Sequence, residues 1–496
     1  MASAATGAAC IDSSCDGAFI QVFCPTDQIG IRLIGIRFFP VKEPSFPRGI
    51  SSGLPLSQTE RRKDPRSYMS DSALAPPKSA STLLKRLGPG LITGAADDDP
   101  SGIATYSQAG AQFGYGLLWT VFLTTPFMIA IQLVSARIGR VTGKGLAANV
   151  MQVAPRWAVL ALIFMLVAAN TFNIAADIAA MAEALSLVIG GLNHEHALIF
   201  AAGSTLLQVF VPYRRYSPVL KFLTLALFAY VATAFTVKIP WSTALLAAVW
   251  PEANVSAGYF MMVVAVLGTT ISPYLFFWQA SQEVEEMNQG ERDKPLRELK
   301  HGGSPELARI RADTIAGMLL SNGIAFFIIL TTASVLHANG VTNVSSATDA
   351  AEALRPLAGD FTFALFALGI IGTGLLAIPV LAGSAAYGVA EIFGWHATLE
   401  AKPDEAVGFY TIIATATAIG FGLGFTGIDS MHMLVWSAVL NGIVAVPIMA
   451  MMMLIVSSRT IMGRFRARSW LIALGWLGTA LMALAVLALL GSSVIG

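Results

Sequence analysis

Three consecutive carboxylates, Asp97, Asp98 and Asp99, stand inside an otherwise apolar run and lead directly into Pro100, Ser101 and Gly102. Counted from Leu87 they lie about ten residues in, roughly 15 Å along a helix and near the middle of a bilayer. Charge at that depth is costly, so an intramembrane carboxylate marks a functional position by default. Pro100 removes a backbone donor and stops the helix, and Gly102 lets the chain turn. Carbonyls freed at such a break, with carboxylates at the same depth, make an oxygen-rich cation site. The competing reading is that the aspartates cap a half-helix near the surface and bind nothing. Three adjacent carboxylates buried without a cation are expensive, which favours the ion. Neighbours on a helix point about 100° apart, so one carboxylate serves the ion. We expect Asp99 in that role, with Asp97 and Asp98 facing a water-filled vestibule.

A second interruption runs from Gly268 through Thr269, Thr270, Ile271, Ser272 and Pro273 to Tyr274. It again sets a proline, Pro273, in mid-membrane after a glycine and small hydroxyl residues. Interrupted spans at corresponding positions of two halves are the signature of an inverted-repeat transporter, helices one to five matching six to ten. Between the breaks, Asn170, Asn173 and Asp177 fall on one helix face at spacings of three, four and seven. That face either glues helices together or lines an ion or proton path. Glu183, about 240° around from Asp177, reads as structural.

The surrounding composition requires lipid. Of 496 residues, 55% are hydrophobic and 12% charged, with a mean hydropathy of +0.66; a soluble surface needs about 25% charged residues. A net charge of +1 gives no electrostatic case for nucleic acid. Eleven stretches could span a bilayer: about 87–110, 117–138, 157–190, 195–213, 217–238, 257–282, 312–336, 360–394, 406–426, 430–457 and 469–494. Lys and Arg concentrate in every second connection, beginning with Lys85 and Arg86. By the positive-inside rule this places the N-terminus in the cytoplasm of an inner (plasma) membrane protein and the C-terminus outside. The mixed-charge stretch 283–311 is expected to be a solvated cytoplasmic connector, with a regulatory role as the alternative. Cys10, Cys15 and Cys24 are the only cysteines, so the membrane body holds no disulfide or Cys-based metal site. Residues 1–85 read as a disordered cytoplasmic leader, with Met69 as an alternative start, and 86–496 as the transmembrane domain, with repeats at about 86–238 and 257–457 and an extra helix at 469–494.

At these residues the chain resembles the natural-resistance-associated macrophage protein (Nramp) family of divalent metal transporters. The stretch GPGLITGAADDDPSGIATYSQAGAQFGYGLLW, 88–119, resembles the family's first helix with its Asp-Pro-Gly-Asn hallmark, and IQLVSARIGRVTGKGLA, 131–147, resembles the next. The resemblance covers about 86–468. It implies an all-α polytopic fold of eleven helices, leucine-transporter-like, with inverted five-helix repeats and broken first and sixth helices. It implies a metal site of Asp99, the Thr269 carbonyl and the residues at 102 and 272. The hallmark Asn falls on Gly102. The sixth-helix Met becomes Ser272, its His becomes Tyr274, and a second His becomes Gln279. In the third helix a family Glu becomes Asn170, the Asp is kept as Asp177, and another Glu becomes Ala180.

Those departures share a direction. A thioether favours transition metals, whereas Ser and Asp oxygens suit Mg²⁺, Mn²⁺ or Ca²⁺; the chain is thus similar to the family's divergent magnesium-transporting branch. Without the histidines a proton relay of the ordinary kind is not expected. The sequence shows no nucleophile–base pair, phosphate loop or cofactor motif, so the expectation is a carrier, not an enzyme, with a divalent cation as substrate, lipid as surroundings and no cofactor. One rival is an organic-solute or amino-acid transporter on the same fold, in which three aspartates would repel a substrate carboxylate. The other is a channel or receptor without alternating access. No residue pattern specifies the oligomeric state.

Overall fold

Proline cannot donate the helix hydrogen bond its position requires, and both interrupted spans part at their prolines. The computed structural model describes residues 89–250, 256–289, 294–299 and 302–495, all within the unit Pro76–Gly496; the expected leader, its cysteines and Met69 lie outside the described residues. The first span is α1 (Pro89–Asp97) and α2 (Pro100–Phe113), separated by Asp98 and Asp99. Next come α3 (Leu118–Thr142), the short α4 (Leu146–Val150), α5 (Arg156–Ile189) and α6 (Asn193–Phe210). The fifth span is α7 (Tyr213–Leu223) and α8 (Phe228–Thr236) joined by a 3-10 turn, followed by a short α9 (Trp241–Val249). The sixth is α10 (Ala257–Thr270) and α11 (Pro273–Gln289), separated by Ile271 and Ser272. Then follow α12 (Ser304–Val335), two short helices α13 (Ala347–Glu352) and α14 (Arg355–Ala358), α15 (Thr362–Phe393), α16 (Val407–Leu423), α17 (Ser430–Ser457), α18 (Arg459–Met462) and α19 (Ser469–Ile495). The described residues contain no strand.

Nine helical stretches among the described residues are long and apolar enough to cross a membrane, against the eleven spans expected. A helical segment occupies each expected position, but α2 runs through a short turn into α3 as one stretch, and α6 is not among the nine. Large apolar side chains such as Trp157, Phe164, Phe210, Phe235 and Leu487 are mostly exposed, an exterior that suits lipid rather than water.

Small residues let the helices approach. A Cβ on Gly94 of α1 would strike the backbone of Gly317 on α12, one on Gly139 of α3 that of Ala280 on α11, and one on Gly268 of α10 that of Ala438 and Gly442 on α17. Close backbone approach through small residues is how helices associate where no hydrophobic drive separates them from lipid.

The expected solvated connector at 283–311 is corrected. Its first seven residues extend α11 and its last eight open α12, and Glu283 is fully buried. Arg309 makes this possible by pairing with Glu283 at 3.0 Å, Glu286 at 3.1 Å and Glu306 at 3.2 Å. A buried carboxylate needs such a partner. From Glu283 the polar chain continues through the Gln279 amide (3.3 Å) to Thr93 of α1 (2.5 Å).

Candidate functional site

Asp99 is the residue the first break is built around. It is the N-cap of α2, in extended conformation, with Pro100 at the first helical position. One oxygen, Oδ1, accepts the Gly102 amide and the Ser101 hydroxyl, both at 2.7 Å. The other, Oδ2, accepts the Asn173 amide nitrogen of α5 at 3.0 Å and faces the Tyr274 hydroxyl of α11 at 3.5 Å. Asn173 is fixed in turn by the Ser437 hydroxyl of α17, 2.8 Å from its Oδ1. Asp99 thus joins α2, α5, α11 and, through Asn173, α17. The cap anticipated as the rival to a ligand role is present, and it orients the carboxylate toward the other helices.

Asp97 and Asp98 do not open onto a vestibule in this conformation. Both are buried and converge on Ser321 of α12, whose hydroxyl lies 2.5 Å from Asp97 Oδ2 and 3.2 Å from Asp98 Oδ1. The correction follows from packing: Asp97 ends α1 and Asp98 follows it directly, and the glycine face of α1 packs on α12. The face of α5 divides. Asn170 donates to the Leu381 carbonyl (2.9 Å) and the Ser384 hydroxyl (2.8 Å) of α15 and acts as glue. Asn173 belongs to the Asp99 site. Asp177 is fully buried, and neither of its oxygens has a hydrogen-bond partner among the described residues.

At the second break the Ser272 hydroxyl turns back on the preceding α10, 2.8 Å from both the Gly268 and the Thr269 carbonyls. These are carbonyls that the end of α10 leaves without amide partners. Tyr274 reaches across to the Ala96 carbonyl at the end of α1, at 3.3 Å. The two breaks meet where a Cβ on Gly102 would stand 3.1 Å from Thr269 Oγ1. A side chain at 102 would therefore press on the Thr269 hydroxyl, with the Asp97 carbonyl and the Tyr106 ring each 3.4 Å away.

Two further carboxylates pin helix starts around this region. Toward α2, Ala347 and Ala350 of α13 line a narrow apolar crevice with Ile103, Ala180, Ile370 and Leu434. Glu183 pins α13 by accepting the Ala347 amide at 2.9 Å and the Ser430 hydroxyl, a structural role as expected. Toward α1, Asp313 of α12 accepts the Gly90 and Leu91 amides at 2.7 and 3.2 Å. Asp313, Ser321 and Ser437 were not singled out from the sequence. Asp313 carried a usable signal, an acid within a span; single serines in apolar helices carry none. No three His, Cys, Asp or Glu side chains among the described residues are grouped to hold a metal, so an ion here would rely on one carboxylate, carbonyls, amides and hydroxyls.

The chain matches the model of the natural resistance-associated macrophage protein-like family over residues 90–492. It is 28% identical to the divalent metal cation transporter MntH of Yersinia enterocolitica over 315 residues, 60% of this chain and 71% of that protein. MntH of Yersinia pestis is also 28% identical, over 305 residues, 59% of this chain and 69% of its own. The crystal structure of the Eremococcus coleocola manganese transporter superposes with a TM-score of 0.65, covering 84% of this chain and 90% of that one at 16% identity, a likeness of fold. The match spans both broken helices and the Asp99 site between them, and the chain belongs to the natural resistance-associated macrophage protein-like family, a multi-pass membrane protein with the leucine-transporter fold.

Proposed function

We propose that this protein carries divalent metal cations into the cytoplasm by alternating access, with Asp99 as the anchoring ligand. The observation that carries the reading is the placement of the Asp99 carboxylate between the two helix breaks, held by groups from α2, α5 and α11. An arriving ion exchanges the long Tyr274 contact and the Asn173 hydrogen bond for its own charge, with the Thr269 carbonyl and Ser272 oxygen on the far wall and waters completing the shell. The pair of interrupted spans around Asp99 supports a carrier in which the repeats rock around the site. The basic connections and the N-terminus face the cytoplasm. An all-oxygen and nitrogen wall favours Mg²⁺ or Mn²⁺ over softer ions.

Transport is weakly coupled to protons or not coupled at all, because the family's histidines are replaced by Tyr274 and Gln279 and Gln279 is occupied by Thr93 and Glu283. The test is uptake into proteoliposomes with Mn²⁺, Fe²⁺, Mg²⁺ and Ca²⁺ in parallel, with a pH-sensitive dye inside. Saturable uptake of at least one ion without acidification is expected. No uptake of any of the four overturns the transport reading. Acidification that tracks uptake and vanishes in Asp177→Asn overturns the uncoupled one.

A further inference from the structure

We propose that the basic ends of α3, α12 and α19 form a binding site for the phosphate group of an anionic phospholipid. Arg137 of α3, Arg311 of α12 and Arg468, which immediately precedes α19, line one crevice of about 20 Å³ together with Leu133, Trp470 and Leu471. The guanidinium groups are close enough that Arg311 and Arg468 both act electrostatically on Arg137. Nearby arginines are neutralised, Arg309 by three glutamates and Arg140 by Glu306 at 3.7 Å. By contrast, none of the ion pairs among the described residues includes Arg137, Arg311 or Arg468. Arg137 is half-buried and held in place, its Nε donating to the Phe465 carbonyl at 2.8 Å. Three converging cations without a carboxylate are complementary to an anion, and guanidinium groups match phosphate oxygens in bidentate fashion. The start of α19 beside them adds the positive end of a 27-residue helix.

Two features select a lipid over a soluble phosphate. The crevice has room for oxygen atoms but not for a whole phosphate group, so the rest of the ligand must lie along the outer surface of the helices. That surface is apolar, with Leu133 and Leu471 buried behind it and Trp470 46% exposed at the end of its span, where indole rings settle at headgroup level. Basic clefts between membrane helices take anionic headgroups for these reasons.

The experiment uses the full chain in neutral detergent, adding phosphatidylglycerol, phosphatidylcholine or inorganic phosphate. Lipid retention is read by native mass spectrometry and stability by the unfolding midpoint. Phosphatidylglycerol is expected to bind and raise the midpoint while the other two do not. The Arg311→Gln, Arg468→Gln double variant should bind it about fivefold more weakly for each arginine removed. The corresponding double lysine variant should keep most of the affinity. Arg468→Gln alone, exposed and outside the helices, carries the test if the double variant does not fold. Undiminished binding by the glutamine variants, equal binding of phosphatidylcholine, or an equal effect of inorganic phosphate would overturn the site.

Discussion

The two helix breaks share a proline and little else. At the first, a charged side chain from the gap caps the helix that follows: Asp99 accepts the Gly102 amide. At the second, a neutral hydroxyl closes the helix that precedes: Ser272 donates to the Gly268 and Thr269 carbonyls. The difference follows from which end of a helix is left unsatisfied. A helix start presents N–H groups and welcomes an acceptor, whereas a helix end presents carbonyls and welcomes a donor. A carboxylate at the first break is therefore held in place by the backbone and still has an oxygen for an ion. A hydroxyl at the second tidies the carbonyls and adds only a neutral wall. One break supplies the charge, and the other shapes what surrounds it.

The strongest way to break this comparison is to separate cap from charge. Asn caps helices as well as Asp, so Asp99→Asn should keep the cap and fold, losing about 1–3 kcal/mol because its amide meets the Asn173 donor, yet show uptake no greater than empty liposomes, as should Asp99→Ala. Transport by a folded Asp99→Asn would assign the first break a purely structural role. Next in size is Gly102→Asn, which restores the family's side chain at a position 3.1 Å from Thr269 Oγ1. Overpacking should cost about 1–3 kcal/mol and lower uptake roughly tenfold, about 1.4 kcal/mol in the rate-limiting barrier. Adding Thr269→Ala should recover part of both, measured as thermal stability and initial rate.

Ser272→Met sharpens the comparison from the other side. It removes the donor that closes α10 and introduces a thioether, so preference for Mn²⁺ or Cd²⁺ over Mg²⁺ should rise by about tenfold in competition uptake. An unchanged selectivity series would show that position 272 does not face the ion. The smallest effect is expected at Ser321→Ala. Losing the hydroxyl shared by Asp97 and Asp98 should lower stability by about 1–3 kcal/mol and leave ion preference unaltered. A changed preference there would extend the ion site to α1.

Much of this was legible in the sequence because membrane burial makes certain residues conspicuous. Twenty apolar residues announce a span, and a proline or an aspartate within one stands out. Those signals located both breaks, gave Asp99 its prominence and placed helical segments where they occur. The exposed connector anticipated at 283–311 failed for a related reason: charge reads as solvent-facing unless its partner is known. Arg309, which pairs with Glu283 from across a loop, becomes that partner only when α11 and α12 pack.

The sequence by itself marked where the two interrupted spans part, because Pro100 and Pro273 each follow small or polar residues in mid-span; proline alone does not decide it, since Pro126, Pro218, Pro379 and Pro447 lie inside continuous helices. It also determined that a carboxylate lies at mid-membrane depth. Tertiary structure decided which way each carboxylate points. Asp97 and Asp98 turn to Ser321, 223 or more residues away, and Asp99 turns to Asn173 and Tyr274. Adjacent positions on a chain diverge in direction, and only the packing of α1 on α12 and of α2 on α5 and α11 supplies the donors that make each direction the stable one.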